Sequence, residues 1–429
     1  MKILLPEGSS MSARDIVYAY GRDHQFDVLD PSRFCQLRYS SMVRRCYRCP
    51  SFWRQPQAYL DFLLDRLRSE EYDVLLPTHE QVFLLSRCRD QIKNLVGLAV
   101  PDFETLDQLQ SKAGFSRLLS ELDMPYPHTR IVRRVEDLLC HQNFPAYVKV
   151  DYSTAGNGVQ RVDSSSDLKQ LAERLASESV WQDQAEVLIQ EVASGVQCTA
   201  LALFQHGRMV SGLTFQIRDP GIGGWGMNGE TVSHPSVLDH LQNLGRHVGF
   251  HGALFVDYFF DPQTNKISFI EANPRFGTAL FPKLCGLPFD ELFLKLSLDQ
   301  PLPDFEASPW RAKNGVRFHQ TFLMLISAAK SGANRRQLAR RLIDAISNRG
   351  FFDSSIETIT RPREDWMSLI PAFAVTSLLM AKPSASHWLV RKTLSNYTLP
   401  VEGAAAIRAL AVPKAADQSP TSEPIEASL

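Results

Sequence analysis

The sequence predicts a mixed fold: a parallel α/β unit first, an α+β unit in the middle and a mainly helical region beyond it. Three observations predict this. Strand-like and helix-like runs alternate through the first hundred residues; two runs rich in Phe, Val and Ile flank the turn formers of "DPQTNK" at 261–266; and from about residue 305 helical patterns such as "ANRRQLARRLIDAISN" take over. A chain of 429 residues has length for two or three domains. The expected divisions are 1–103, 104–304 with a lobe at about 124–193, and 305–412, followed by a polar tail at 413–429 expected to be disordered.

The elements follow in order. "KILLP" opens as a strand, "MSARDIVYAYGRD" follows as a helix and "FDVLD" as the next strand; "YDVLLPT" repeats the pattern after "AYLDFLLDRLRSEE". Ligands of parallel sheets sit beyond the carboxyl ends of strands, which singles out "PEGSS" at 6–10 and "PTHE" at 77–80. "PEGSS" has too little glycine for a dinucleotide fingerprint. One helix is expected through "TLDQLQSKAGFSRLLSELD", stopping at the two prolines of "MPYP". Then come the strand "AYVKV", the small-residue loop "STAGNGV", and a strand and link, "LIQEVASG". "FQIRDPGIGGWGMNGETVSHP" (215–235) reads as a long loop of the kind that forms lids, with Trp225 able to close over a ligand or to anchor the loop.

Composition removes several function classes. The net charge of −1 provides no basic field for nucleic acid or anionic lipid. Seven scattered cysteines include one close pair, Cys46 and Cys49, with no second pair to complete a zinc site, and read as free thiols of a reducing, cytoplasmic compartment. "MKILLPEGSS" is too weakly apolar for a signal peptide. The apolar stretch "MSLIPAFAVTSLLMA" (367–381) is too short to span a bilayer and is expected to be a buried helix, with membrane-surface contact as the alternative.

"FIEANPRFGT" (269–278) poses the chemical question, because an apolar strand here acquires an acid, an amide and an arginine. Glu271 and Asn273 share one strand face. A hairpin folded about Thr264 sets Phe259 opposite Phe269 and Asp257 opposite Glu271, where like charges repel unless a cation lies between them. Asp, Glu and an Asn carbonyl are hard oxygen donors suited to Mg2+; the competing reading is a solvated pair of acids. Lys149, inside the apolar "AYVKV", needs an anion or water, and the loop beyond it lets backbone N–H groups approach a phosphate. A snorkelling edge lysine beside an ordinary turn is the alternative.

Lys112 in "LQSKAGFSRLL", Lys149 before its glycine loop, "LIQEVASG", "VDYFFD" and "IEANPR", in that order, resemble the ATP-grasp superfamily. The likeness is closest to its carboxylate-amine ligases and the carbamoyl-phosphate-synthase-like branch. It covers roughly residues 1–300 and implies a Rossmann-like first domain followed by a two-lobed domain binding ATP between its lobes. By this resemblance Lys112 and Lys149 hold the phosphates, and the loop bearing Ser153, Gly156 and Gly158 closes over them. Gln190 and the backbone of Glu191, Val192 and Ala193 meet the adenine, and Gln197 meets the ribose. Gln190 and Gln197 both replace acids common among such enzymes. Asp257, Glu271 and Asn273 would bind Mg2+, for which Mn2+ can substitute.

The reaction implied is ADP-forming: a carboxylate becomes an acyl phosphate and an amine displaces the phosphate, giving an amide or peptide bond. Arg275 would meet the moving phosphoryl group, or form an ion pair with an acid; Arg218 and His234 are further candidates for substrate binding or proton transfer. The expected partners are a small-molecule carboxylate and amine, without nucleic acid or a transmembrane segment, and a homodimer stays open. The competing functions are carboxyphosphate or carbamoyl phosphate formation and a non-catalytic nucleotide-binding regulator.

Overall fold

The computed structural model describes residues 1–152, 158–178, 181, 186–219, 228–394 (backbone alone at 392–394) and 398–411. Ser153, Gly156, Trp225 and the tail 413–429 lie outside the described residues.

The N-terminal alternation folds into a parallel sheet of β1 (Lys2–Leu5), β2 (Gln25–Asp30), β3 (Val43–Arg48) and β4 (Val74–Leu75), in the order β3-β2-β1-β4. β3, "VRRCYR", has no apolar alternation to announce it. Its Arg44 bonds the buried Asp27 of β2, Nε to Oδ1 at 2.9 Å, so pairing at this edge rests partly on charge.

A second, antiparallel sheet takes β5 (Thr129–Val132), β6 (Ala146–Val150), β7 (Val159–Val162) and β8 (Val187–Glu191) in the order β5-β8-β6-β7. The helix Ser165–Ser177 covers one face, burying Leu168, Leu171 and Leu175 against Val148 and Ile189. The link to the next strand turns at Gly195 (φ +99°), where a Cβ would lie 2.2 Å from the Phe260 carbonyl oxygen. Only glycine satisfies both the backbone angle and the space.

The largest sheet has seven strands: β9 (Val196–Gln205), β10 (Arg208–Ile217), β11 (Asn228–Val232), β12 (Gly252–Asp261), β13 (Lys266–Asn273), β14 (Arg317–His319) and β15 (Ser355–Glu357), ordered β13-β12-β9-β10-β11-β14-β15. Both ends of the stretch expected as one long loop at 215–235 are therefore strand. The C-terminal segment supplies the last two strands as well as helices.

Three expectations need correction. The helix expected from 105 to 123 is two, Phe103–Gln110 and Lys112–Glu121, separated by Ser111 in extended conformation. Phe259 faces Ser268 rather than Phe269, because one extra residue bulges out of β13 between Phe269 and Glu271. The helix Leu369–Ala381 is not buried: of its residues only Leu379 is enclosed. Among the described residues no helix is long and apolar enough to cross a membrane.

Contacts distant in sequence hold the units together. The buried Asp15, on the helix Met11–Tyr20, accepts from Thr278 Oγ1 (2.8 Å), Ala279 N (2.8 Å) and Leu280 N (3.0 Å), fixing the segment that follows Asn273. Asp15→Ala orphans those donors and is expected to lower unfolding stability by roughly 3 kcal/mol, whereas Asp15→Asn, which keeps an acceptor oxygen, loses much less; urea titration measures both. Further on, the helix Val401–Arg408 returns to the N-terminal unit, burying Ala404 and Ile407 beside Tyr59 and Phe83 while Arg408 pairs with Asp107 at 2.8 Å.

Candidate functional site

The floor of the site is one face of the large sheet. Asp257 of β12 pairs directly with Glu271 of β13 on one side and with Thr199 of β9 on the other. The bulge makes this possible: Phe269 and Ala272 both enter the core, while Ile270 and Glu271 stay partly exposed, so the acid is turned out of the apolar face that strict alternation would assign it. Gln197, two residues before Thr199, shares the face of Asp257. Thr199 Oγ1 donates to Asp257 Oδ1 at 2.6 Å, and Asn273 Nδ2 approaches Oδ2 at 3.4 Å. Asp257 is densely surrounded by protein, although part of its surface stays accessible. Burial first, and the Glu271 charge second, push its carboxyl up to about 7.

Two cations face these acids. Lys149 and Tyr147 alternate on β6, and Gln190 pairs with Tyr147, so Lys149 and Gln190 share the sheet face opposite the Val148–Ile189 core. Lys149 as a residue is 6% exposed; burial, with Lys112 adding to it, lowers its ammonium to about 8 against the attraction of Glu271 and Asp257. The break at Ser111 places Lys112 in the first turn of its helix, its Nζ 3.5 Å from Glu271 Oε1. Asp151 holds this helix end, accepting from Ser111 Oγ (2.8 Å) and Lys112 N (2.6 Å), and so ties the helix that carries Lys112 to the end of the strand that carries Lys149. Sequence reasoning missed Asp151, although an acid two residues past Lys149 and a capping serine before Lys112 were legible.

Lys149→Met keeps the stem and removes the charge. The expected result is ATP affinity weakened at least about tenfold by calorimetry, with a melting temperature without nucleotide equal to or above that of wild type, because a buried ammonium no longer has to be accommodated.

Arg275 completes the cluster. Its Nη1 lies 3.2 Å from Glu80 Oε1, in the "PTHE" segment, yet is not aligned for a hydrogen bond, so a buried donor remains for an oxyanion. Glu80 is fully buried and also accepts from Gln110 Nε2 at 2.8 Å. The predicted ion pair with an acid is thus present, and its partner could not be chosen from sequence.

The remaining expected residues divide. Gln190 Nε2 donates to Thr129 Oγ1 at 2.9 Å, leaving its carbonyl oxygen. Glu191 is exposed and its backbone N–H donates to the His128 carbonyl at 3.0 Å; Val192 is exposed and Ala193 half-buried in the link beyond β8. Gly158 has φ +76°, and its carbonyl accepts from Val150 N at 2.8 Å, closing the base of the loop. Arg218 is held by the C-terminal segment: Nη1 donates to the Phe351 carbonyl at 2.9 Å, its guanidinium stacks 4.4 Å from that ring, and Nε lies 3.8 Å from Glu230. These contacts do not join it to the carboxylate pair. His234 bonds the Tyr258 hydroxyl at 2.8 Å and packs on Phe260, and burial lowers its imidazole.

The donor set fits a hard divalent cation. Two carboxylates in strand register with an amide oxygen on the same face provide oxygen ligands, and the raised Asp257 marks charge that a cation would relieve. A separate group, His206, His251 and Asp299, has ligand atoms within 4.8 Å of one another, but Lys93 and Arg89 both act on His251 and disfavour a cation there.

No family model matches the chain. The C-terminal section of the carbamoyl phosphate synthase large chain from Methanopyrus kandleri is 22% identical over 226 residues, 47% of this chain and 40% of that protein, so the chain spans less than half the length of this relative. Among solved structures, the biotin carboxylase domain of the Hydrogenobacter thermophilus 2-oxoglutarate carboxylase, in complex with MgADP, ADP and bicarbonate, has a TM-score of 0.59 at 13% identity, covering 74% of this chain and 73% of that one. The L-amino acid ligase from Bacillus licheniformis has a TM-score of 0.56 at 15% identity, covering 74% and 78%. These likenesses agree with the order of lysines, acids and "EANPR": the chain has a mixed α/β fold similar to that of ATP-grasp proteins.

Proposed function

We propose that this chain is an ATP-dependent, ADP-forming ligase that activates a small-molecule carboxylate as an acyl phosphate and joins it to an amine. The observation that supports this reading is the convergence of Lys112 and Lys149 on Asp257, Glu271 and Asn273. In the proposed mechanism a substrate carboxylate oxygen attacks the γ-phosphorus and ADP leaves; the amine nitrogen then attacks the acyl carbon, and phosphate departs with that oxygen. Lys112 and Lys149 bind the phosphates, and the residue types at Ser153, Gly156 and Gly158 suit backbone N–H contacts to the same anions. Arg275 turns its unaligned donor to the transferring group. Gln190 offers its carbonyl oxygen to the adenine amino group, the Glu191–Ala193 backbone reads the adenine edge, and Gln197 bonds a ribose hydroxyl. Asp257, Glu271 and Asn273 would hold Mg2+, which would supply neutralisation of phosphate charge. Arg218, held in place by the Phe351 carbonyl and ring, is a further candidate to bind the substrate carboxylate.

The bicarbonate in the solved carboxylase complex favours a second reading, in which bicarbonate is the acid and carboxyphosphate the intermediate. A screen of acid and amine pairs for ADP and phosphate release, with mass spectrometry of products, separates them. Phosphate release that needs both a carboxylic acid and an amine supports the ligase; release with bicarbonate alone supports carboxyphosphate chemistry; nucleotide binding without turnover in any pair supports a regulator. Seven free cysteines are consistent with a cytoplasmic enzyme.

A further inference from the structure

The helix Leu369–Ala381, "LIPAFAVTSLLMA", contains no charged residue. One face packs through Ala372, Val375 and Leu379 onto Phe322, Leu325 and Leu338. The opposite face is solvent-exposed at 366, 369, 370, 373, 374, 377, 378 and 381, a run of three- and four-residue steps that forms one continuous stripe. Phe373 is 76% and Trp366 64% exposed along it. A soluble surface normally breaks such a stripe with charge.

Charge stands at its ends instead. Arg363 is exposed before the helix and Lys382 directly after it, and the exposed Arg335 donates to the Ala381 carbonyl at the C-terminal end. Trp388 and Arg391 are exposed on the next helix, Ala385–Leu394. The acids nearby are already engaged: Glu364 by Arg361 Nε at 2.7 Å, and the buried Asp365 by Ser41 N at 2.9 Å. Residues 330–392 hold eleven lysines and arginines against five acids, a local net charge of +6 in a chain whose total is −1.

We infer that this face docks peripherally on an anionic lipid surface. Phe373, Ile370 and Leu369 enter the boundary between headgroups and acyl chains, the tryptophans sit at headgroup level, and Arg363, Lys382, Arg335 and Arg391 meet the anionic headgroups. Thirteen residues make a helix about 20 Å long, which suits lying in the interface and not spanning it. A second copy is a poorer occupant, because pairing two such helices in either direction brings cationic ends against cationic ends.

The test uses the full chain, sedimented with vesicles of phosphatidylcholine alone or of phosphatidylcholine with phosphatidylglycerol. The expected result is binding to the anionic vesicles that weakens with salt and is much lower on the neutral ones. Phe373→Asp, at an exposed site, should reduce binding at least about tenfold without changing the melting temperature. Lys382→Glu should reduce it about fivefold or more on anionic vesicles only. Wild-type protein left in the supernatant with both vesicles overturns the inference, with no variant needed. So does a lipid-free dimer that Phe373→Asp converts to monomer, which would assign the stripe to a second copy.

Discussion

Glu271→Gln is expected to lower ATP-dependent product formation on the order of 100-fold or more while the fold persists, because one ligand charge is lost where two phosphates must be neutralised. Glu271 is only partly buried, and its removal eases the repulsion on Asp257 while taking an acid from Lys112, 3.5 Å away, so the two effects offset and apo stability should change little. A pH series gives a readout independent of turnover. With the folded value of Asp257 near 7 and its ordinary value near 3.8, the unfolded chain releases this proton first as pH rises. The native state therefore loses stability through that window, and the loss is complete above the folded value. Glu271→Gln should shrink this loss, and Mg2+ should raise the melting temperature of wild type above pH 7 more than that of the variant. Full activity in Glu271→Gln, or in excess chelator, would remove the metal from this face of the hairpin.

Arg275→Lys should bind MgATP nearly as well as wild type yet form product on the order of 100-fold more slowly, the cost of one preorganised oxyanion contact. Lysine keeps a positive charge for Glu80, 3.2 Å away, so the fold should persist, but it loses the planar fork that bonds two oxygens together. An oxygen-18 label in the substrate carboxylate tests the chemistry itself. Passage of label into released phosphate is expected of an acyl phosphate; retention of all of it in the product would rule out activation at phosphorus.

What was legible in the sequence is what local pattern encodes. The parallel alternation, the hairpin and the Asp257–Glu271 opposition follow from strand periodicity and turn chemistry, and Lys149 from charge placed inside an apolar strand, whereas Lys112 stands out only through the resemblance. What escaped depends on partners remote in sequence. The break at Ser111 needs Asp151 to be favourable, β3 needs Asp27, and Glu80 is chosen for Arg275 only by the assembled fold. The bulge corrected an error of register: the fold about Thr264 set the two acids opposite, and the extra residue in β13 keeps them there while the rest of the ladder shifts by one. Phe373 shows the converse, since apolar content alone cannot distinguish a buried helix from an exposed one.

The return of the helix Val401–Arg408 to the N-terminal unit bears on how the protein is made. Synthesis runs from the N-terminal side to the C-terminal side, so Tyr59, Phe83 and their neighbours emerge long before Ala404 and Ile407, which complete their enclosure. Throughout that interval the nascent chain presents an unfilled apolar groove beside its first sheet. That parallel unit is thus among the last to be finished, and its groove stays open in the growing polypeptide until the helix Val401–Arg408 has been translated.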